Sequence, residues 1–140
     1  MGFVHAEIKL TNAMDEGFAK EGYIKTEDVR TTTVTAVVDT GAMSLVITEE
    51  IFQKLGLTIE GEKTAMTANG QRVQCKVTGP VKFQWKNRDM VLQSLVVPGA
   101  ENVLLGVIPL EALDLMVNPV SQELVGAHGN ELEYMMVGVR

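Results

Sequence analysis

The chain has 140 residues, 46% of them hydrophobic, which is enough to bury the core of one domain. Its formal net charge of −6, without a cluster of lysine and arginine, argues against a nucleic-acid partner. Cys75 is the single cysteine, which excludes an internal disulfide and a multi-cysteine metal site. His5 and His128 lie far apart and show no metal-ligand spacing, so we expect neither a metal nor a cofactor.

The sequence also lacks membrane and export signals. No apolar run approaches the ~18 residues that a membrane-spanning helix needs, so we expect no membrane partner. The first residues lack the charged and apolar segments of a signal peptide. We therefore expect a cytoplasmic protein with a single domain over residues 1–140.

The first third of the chain predicts two strands separated by a polar connection. Apolar and polar residues alternate from Val4 to Leu10, which indicates a strand with one buried face. The polar stretch 15–28 is predicted to be a long loop or loose hairpin. Residues 30–38 are rich in threonine and valine and predict a second strand, which leads to Asp39.

A short buried strand and a helix are predicted next. Residues 45–47 are continuously apolar, as in a buried strand. Thr48 then provides a hydroxyl cap, and acidic residues follow in the first turn of the predicted helix. Gly56 is expected to end this helix.

The turn residues in the next part of the chain predict two hairpins. Asn69-Gly70 favours a two-residue turn in which both central residues have positive φ, between strands at 63–68 and 71–78. Cys75 lies on the apolar face of the second of these strands, which indicates a buried structural thiol. A second hairpin is predicted from strands at 81–86 and 90–97, with residues 86–89 forming the turn.

The remaining elements complete a mostly-β pattern. Residues 103–106 predict a buried strand that ends in glycine, and a short helix should begin with Pro109 at its first position. A further hairpin is expected around Asn118-Pro119, and residues 134–137 form a last apolar run. Many short strands, regular turn signals and two short helices predict a closed or semi-closed β sheet.

The segment from Val37 to Ala42 carries the chemistry. An apolar strand end delivers Asp39 onto the loop Thr40-Gly41, where Gly41 is expected to take a conformation that other residues avoid. A carboxylate in this position is costly unless it is hydrogen-bonded or used. Loops on rigid scaffolds are also where catalytic residues concentrate.

Asp39-Thr40-Gly41-Ala42, preceded by Val37-Val38, resembles the active-site signature of aspartic proteases, and the short chain points to their retropepsin-like branch. The order of later features is similar: a hairpin at Asn69-Gly70, then Leu104-Leu105-Gly106 and a short helix. The resemblance implies a mostly-β, closed retropepsin-like barrel with a flap hairpin and one or two short helices.

The resemblance also implies roles for particular residues. Asp39 would be the catalytic acid/base, and Thr40 would lock two loops together. The implied catalytic residues are Asp39, Thr40 and Gly41, and the implied substrate-binding residues are Ala42 and the flap tip Ala68, Asn69 and Gly70.

Two positions depart from the retroviral members of this family. Those members often carry an acid after the Gly-Ala of the loop and an arginine after the later glycine, and the two form an ion pair. Here both places are apolar, Met43 and Val107. Losing both charges together is physically coherent, because one buried charge alone would be expensive. The sequence is therefore similar to the cellular or bacterial members, and a Met43–Val107 contact is expected.

The chemistry of this family needs two carboxylates that share a proton, whereas this chain has one Asp-Thr-Gly. We therefore expect a homodimer with Asp39 on its twofold axis, acting as an aspartic endopeptidase on a peptide or protein substrate. Two alternatives remain open. The chain could be an inactive dimeric peptide-binding module of the same fold, or an unrelated β barrel with a chance motif.

Overall fold

A computed structural model describes residues 3–131, which form a seven-stranded sheet, a two-stranded ribbon and three short α-helices. The predicted apolar run at 134–137 lies outside the described residues. In chain order the elements are β1 (Val4–Asn12), α1 (Ala13–Lys20), a 3₁₀ turn (Thr26–Asp28), β2 (Thr31–Val38), β3 (Leu45–Ile47), α2 (Glu49–Leu55), β4 (Ile59–Met66), β5 (Arg72–Trp85), β6 (Arg88–Val96), β7 (Leu104–Leu105), α3 (Val107–Ala112), β8 (Leu115–Val117) and β9 (Leu124–Gly126).

The large sheet closes on itself. Its strand order is β1-β2-β7-β3-β6-β5-β4, and β1 also pairs with β5, so six strands form a ring and β4 adds to it outside. Closure leaves the ring strands without open edges. Leu10, Leu45, Phe83 and Leu105 are fully buried in the core. The predicted mostly-β closed barrel is confirmed.

The N-terminal strands match their sequence patterns. β1 and β2 pair antiparallel from Val4–Val38 to Thr11–Thr31, with His5 exposed as its polar position predicts. Thr48 caps α2 by accepting a hydrogen bond from the Ile51 N–H at 3.2 Å. Gly56 ends the same helix in the left-handed conformation at φ 59°.

The prediction of a long loop over 15–28 is wrong, because this stretch begins inside a helix. Asn12 caps α1 through its Oδ1, which accepts a hydrogen bond from the Asp15 N–H at 3.1 Å. Asp15 and Glu16 lie in the first turn and Lys20 in the last, where each charge complements the helix dipole. The barrel therefore carries one more helix than the sequence indicated.

An ion pair fixes the helix α1 to the barrel. The Arg30 guanidinium donates from Nε and Nη2 to the two Asp15 carboxylate oxygens at 2.8 and 3.0 Å, and the Arg30 N–H donates to Oδ2 at 3.0 Å. Asn12 Nδ2 also donates to the Leu55 carbonyl at 2.9 Å, which ties α1 to the end of α2. Hydrogen bonds from Arg30 hold the pKa of Asp15 below its usual value.

β5 is one long strand, whereas the sequence predicted two strands in separate hairpins. Its first half pairs with β4 and its second half with β1, and β6 follows both halves across a register shift between Val77 and Pro80. Pro80 is tolerated at this register shift because proline has no backbone N–H to donate to the neighbouring strand. Gly79-Pro80 therefore bends the strand without ending it.

Arg88 lies in β6 and is 1% exposed, so its assignment to the turn at 86–89 is wrong. Its Nη1 donates to the Leu113 and Asp114 carbonyls at 2.9 and 2.8 Å, and its Nη2 donates to the Gly129 carbonyl at 2.6 Å. These acceptors lie on both sides of the β8–β9 ribbon. The buried guanidinium therefore binds the ribbon to the barrel.

None of the helices within residues 3–131 combines the length and the hydropathy that crossing a membrane requires.

We predict that the Asp15–Arg30 pair supports stability above acidic pH. Because the pKa of Asp15 is lowered by folding, the pair stabilises the fold above the unfolded-state pKa, and this contribution disappears as pH falls through the folded-state pKa. Asp15→Asn should reduce the free energy of unfolding at pH 7 by about 1–3 kcal/mol, a moderate figure since the Arg30 side chain is half exposed.

Urea unfolding between about pH 2 and pH 7 measures this effect. Asp15→Asn should show a smaller acid-induced loss of stability than the wild type. Asp89→Asn, at an exposed position, is the matched control and should behave as the wild type. Equal acid sensitivity of Asp15→Asn and wild type would contradict the assignment.

Candidate active site

Two parallel strands position Asp39. β2 runs parallel to β7, with Val37 opposite Leu104 and Val38 opposite Leu105. The Asp39 N–H continues this ladder by donating to the Leu105 carbonyl at 3.0 Å. The backbone of Asp39 is therefore fixed at the carboxyl ends of both strands, while its side chain remains partly accessible.

The Asp39 carboxylate is oriented by its own loop. Oδ1 accepts a hydrogen bond from the Gly41 N–H at 2.9 Å, and the Ala42 N–H donates to the Asp39 carbonyl at 3.0 Å. Among the hydrogen bonds formed within residues 3–131, none engages Oδ2. One carboxylate oxygen is thus held by the protein, and the other can contact a water molecule or a substrate.

Steric crowding, and not an unusual backbone conformation, explains why position 41 is a glycine. Its φ is not in the left-handed region, so the expectation of an unusual backbone conformation is wrong. A Cβ at this position would lie 3.1 Å from Asp39 Oδ1, the oxygen that its N–H binds. A side chain here would crowd the carboxylate.

A second loop holds the first by backbone hydrogen bonds. The N–H groups of Gly106, Val107 and Ile108 donate to the carbonyls of Ser44, Ala42 and Met43 at 3.0, 2.9 and 2.8 Å. Gly106 is the N-cap of α3, so these donors belong to the helix start, whose N–H groups have no partners within the helix.

The approach at Gly106 leaves no space for a side chain. An added Cβ would lie 2.5 Å from the carbonyl oxygens of Ala42 and Ser44. The helix begins at Val107, two residues before the predicted start, and Pro109 lies in its first turn, where the missing N–H costs nothing. The sequence pattern indicates Gly106 as the end of a strand, but it carries no sign of the contact between Gly106 and the Asp39 loop.

Thr40 is exposed and lines a groove of about 360 Å³ whose walls come from α3 and β8. Leu110, Leu115 and Met116 make this groove largely apolar, and Glu111 adds a carboxylate. Met43 is 69% exposed and Ile108 48% exposed. The expected Met43–Val107 contact stays a prediction, although backbone hydrogen bonds join the two segments that carry these residues.

The hairpin of β4 and β5 contains the predicted flap tip, although its turn differs from the prediction. The Thr67 N–H donates to the Gln71 carbonyl at 2.8 Å and the Gly70 N–H to the Thr67 carbonyl at 3.0 Å, which defines a three-residue loop. Gly70 has φ 82°, but Asn69 does not have positive φ, so the two-residue turn is wrong.

The structure therefore brings together only part of the predicted site. Asp39, Thr40, Gly41 and Ala42 form one loop that is bound to residues 106–108. Ala68, Asn69 and Gly70 are exposed, and within the described chain no hydrogen bond joins them to the Asp39 loop.

The remaining reactive groups lie elsewhere. Cys75 is buried as predicted, and burial raises the pKa of its thiol, which keeps it protonated. Residues 3–131 contain no group of three or more histidine, cysteine, aspartate or glutamate side chains arranged to hold a metal ion.

Comparison with known proteins identifies a protein family and similar solved structures. A family model described as aspartyl protease matches residues 24–126. Among solved structures, the chain is similar to the EIAV protease in complex with the inhibitor HBY-793, with 25% identity and a TM-score of 0.52 over 59% of this chain and 78% of that one. No curated protein matches the chain. The family match includes the Asp39 loop, the β4–β5 hairpin and Gly106, and begins after β1 and α1.

We predict that Gly106→Ala disturbs the Asp39 loop. The new methyl group would overlap two carbonyl oxygens, so the loop or the start of α3 must move. Overpacking of this kind should reduce the free energy of unfolding by about 1–3 kcal/mol. Chemical denaturation measures the loss, and amide exchange at Val107 and Ile108 reports whether their hydrogen bonds are broken.

Gly17→Ala is the matched control for this substitution. Gly17 lies in α1 with no atom within 4 Å of an added Cβ, and alanine is the better helix former there. The control should therefore be neutral or slightly stabilising. Wild-type stability and exchange in Gly106→Ala would contradict the proposed close contact.

Proposed function

The chain belongs to the aspartyl protease family, and on that basis we propose that it is an aspartic endopeptidase that works as a homodimer. Each protomer would contribute one Asp39 to a shared site that hydrolyses peptide bonds. The observation that supports this most directly is the Asp39 carboxylate, held through Oδ1 by the Gly41 N–H and accessible at its other oxygen. The protomer would be a single domain over residues 1–140.

The proposed reaction uses the two carboxylates with one shared proton. The ionised Asp39 removes a proton from water as the water oxygen bonds to the scissile carbonyl carbon. The protonated Asp39 of the partner copy donates to the carbonyl oxygen. The tetrahedral intermediate then breaks its C–N bond as a proton reaches the amine nitrogen, which yields a new carboxyl group and a new amine.

The surface around Asp39 supports association of two copies. Thr40, Met43 and Ile108 are exposed beside the catalytic loop, and Met116 is 43% exposed in the neighbouring groove. Met43 and Ile108 lie on segments joined by a backbone hydrogen bond, and exposed apolar side chains grouped in this way are typical of an interaction site. A twofold contact through this surface would also place Thr40 where it can bind the partner loop.

The substrate would be an extended peptide between the Asp39 loop and the flap. Ala42 would contact the peptide from the loop, and Ala68, Asn69 and Gly70 would cover it from the flap tip. The tip is exposed in a single copy, and β4 pairs with β5 alone within residues 3–131. This hairpin is therefore suited to opening for a peptide and closing over it.

We predict that Asp39→Asn abolishes peptide hydrolysis while the fold and the dimer remain. An amide keeps the shape of the carboxylate and can still accept the Gly41 hydrogen bond, but it cannot take a proton from water. The loss in kcat should be about 10²–10⁴-fold, the contribution typical of a general acid or base. A cleavage assay of wild type and variant side by side, on a mixed peptide pool from acidic to neutral pH, measures it.

Asp89→Asn is the control, because it removes an exposed carboxylate outside the site. Cleavage by Asp39→Asn at the wild-type rate would disprove the catalytic assignment. Absence of cleavage by both proteins, with peptide binding retained, would favour an inactive peptide-binding module.

A mixing experiment tests the shared site. If each site needs two wild-type copies of Asp39, adding Asp39→Asn protein should inactivate wild-type protomers by forming hybrids. At threefold excess of the variant, about a quarter of the wild-type activity should remain. Activity that does not depend on added variant, after subunit exchange shown by sedimentation or labelling, would indicate that one copy is sufficient.

A further inference from the structure

A cavity of about 410 Å³ lies between the outer face of the barrel and the segment that contains α1 and the 3₁₀ turn. Lys9 and Thr11 of β1 and Lys82 of β5 form its floor, while Glu16 and Lys20 of α1 and Thr26 form its wall. Its lining shares no residue with the Asp39 loop or with the groove beside Thr40. We call it the lysine cleft.

The lysine cleft carries excess positive charge in an acidic chain. Glu16 is its one carboxylate and binds two of the three lysines: Lys82 Nζ lies 3.2 Å and Lys20 Nζ 3.7 Å from Glu16 Oε1. The lining therefore carries two more positive than negative charges, although the chain as a whole has a net charge of −6. This local reversal of charge favours an anionic ligand.

The strand register places two of the lysines side by side. Lys82 is directly opposite Thr11 across the β1–β5 pair, and Lys9 is two residues from Thr11 on the same outward face. Lys9 and Lys82 are thus diagonal neighbours, within reach of each other's long side chains. Like charges in such positions repel, and a bound anion would remove this cost.

The lysine cleft is built before any ligand binds. Asn12 and the Asp15–Arg30 pair fix α1 against the barrel, and Glu16 orients Lys82, whose side chain is only 24% exposed. Thr11 is buried, and its hydroxyl is hydrogen-bonded to that of Thr31 at 3.0 Å. A preorganised site loses little freedom on binding.

We propose that the lysine cleft binds a small phosphate-bearing molecule. Ammonium groups bind phosphate as point charges, and a phosphate group brings about two negative charges to balance the two in excess. The volume lies in the range of small-molecule sites. Lys9, Lys20 and Glu16 precede the segment that the family model matches, so the site is a feature of this chain beyond its proposed peptidase activity.

Calorimetric titration of the full chain with inorganic phosphate and with phenyl phosphate, at constant ionic strength in sodium chloride, tests the proposal. We expect saturable binding of one phosphate per chain, with a Kd of about 1 mM or lower. Lys9→Gln/Lys82→Gln should weaken binding by about tenfold or more, as loss of a hydrogen bond to a charged group does. Glu16→Gln should strengthen it.

Lys54→Gln/Lys63→Gln is the matched control, since it makes the same charge change outside the lysine cleft. It should leave the Kd within about twofold of the wild type. Because Glu16→Gln acts in the opposite direction, a folding defect cannot produce the full pattern.

Three results would each overturn the proposal: absence of saturable heat up to about 20 mM phosphate, equal weakening in the control, or succinate binding as tightly as phosphate. Stronger binding of phenyl phosphate than of inorganic phosphate would identify the ligand as a phosphate ester. The reverse order would identify the free ion.

Discussion

The close contact at Gly106 is the constraint on which the candidate active site depends. The helix start offers three N–H groups, and residues 42–44, at the end of the Asp39 loop, offer the three carbonyls that accept from them. The match is possible only because Gly106 has no side chain. Each segment satisfies backbone groups that the other would leave unpaired, so the loop is held although Thr40 and Gly41 are exposed.

This arrangement joins the two segments without an ion pair at the two positions that the sequence resemblance assigns to one. Met43 and Val107 occupy the two places of that pair, and both contribute backbone hydrogen bonds in place of charges. Charged side chains instead attach the outer elements of the fold to the barrel. Asp15–Arg30 fixes the first helix, and Arg88 fixes the last ribbon through carbonyl groups. The site itself is supported by neutral contacts.

The sequence predicted those features that depend on local chemistry. The alternation from Val4, the Thr48 cap and the Asp39 motif each carry their signal within a few residues. The wrong predictions have different causes. The helix after Asn12 lies in a short polar segment, and polar segments favour a loop prediction. The Asn12–Asp15 pair is nevertheless a recognisable N-terminal helix cap. Gly79-Pro80 resembled a break, and only pairing with distant strands shows that β5 continues.

Arg88 illustrates the same limit for a single residue. Its neighbours are typical of a turn, but its hydrogen-bond acceptors lie at Leu113, Asp114 and Gly129. In the site, the motif identified the carboxylate, whereas the contact of Gly106 with residues 42–44 depends on two segments about 60 residues apart. Backbone contacts of that range leave no periodic pattern in a sequence.

The pairing of β1 with β5 has a consequence for how the chain folds. It joins Lys9 to Gln84 and Asn12 to Val81, so the barrel closes only when segments about 70 residues apart meet. High contact order of this kind slows folding, into the range of milliseconds to seconds for small β domains. Until closure, β1 and β5 expose unpaired edges that can pair with other chains. Conditions that accelerate closure should therefore reduce aggregation during refolding.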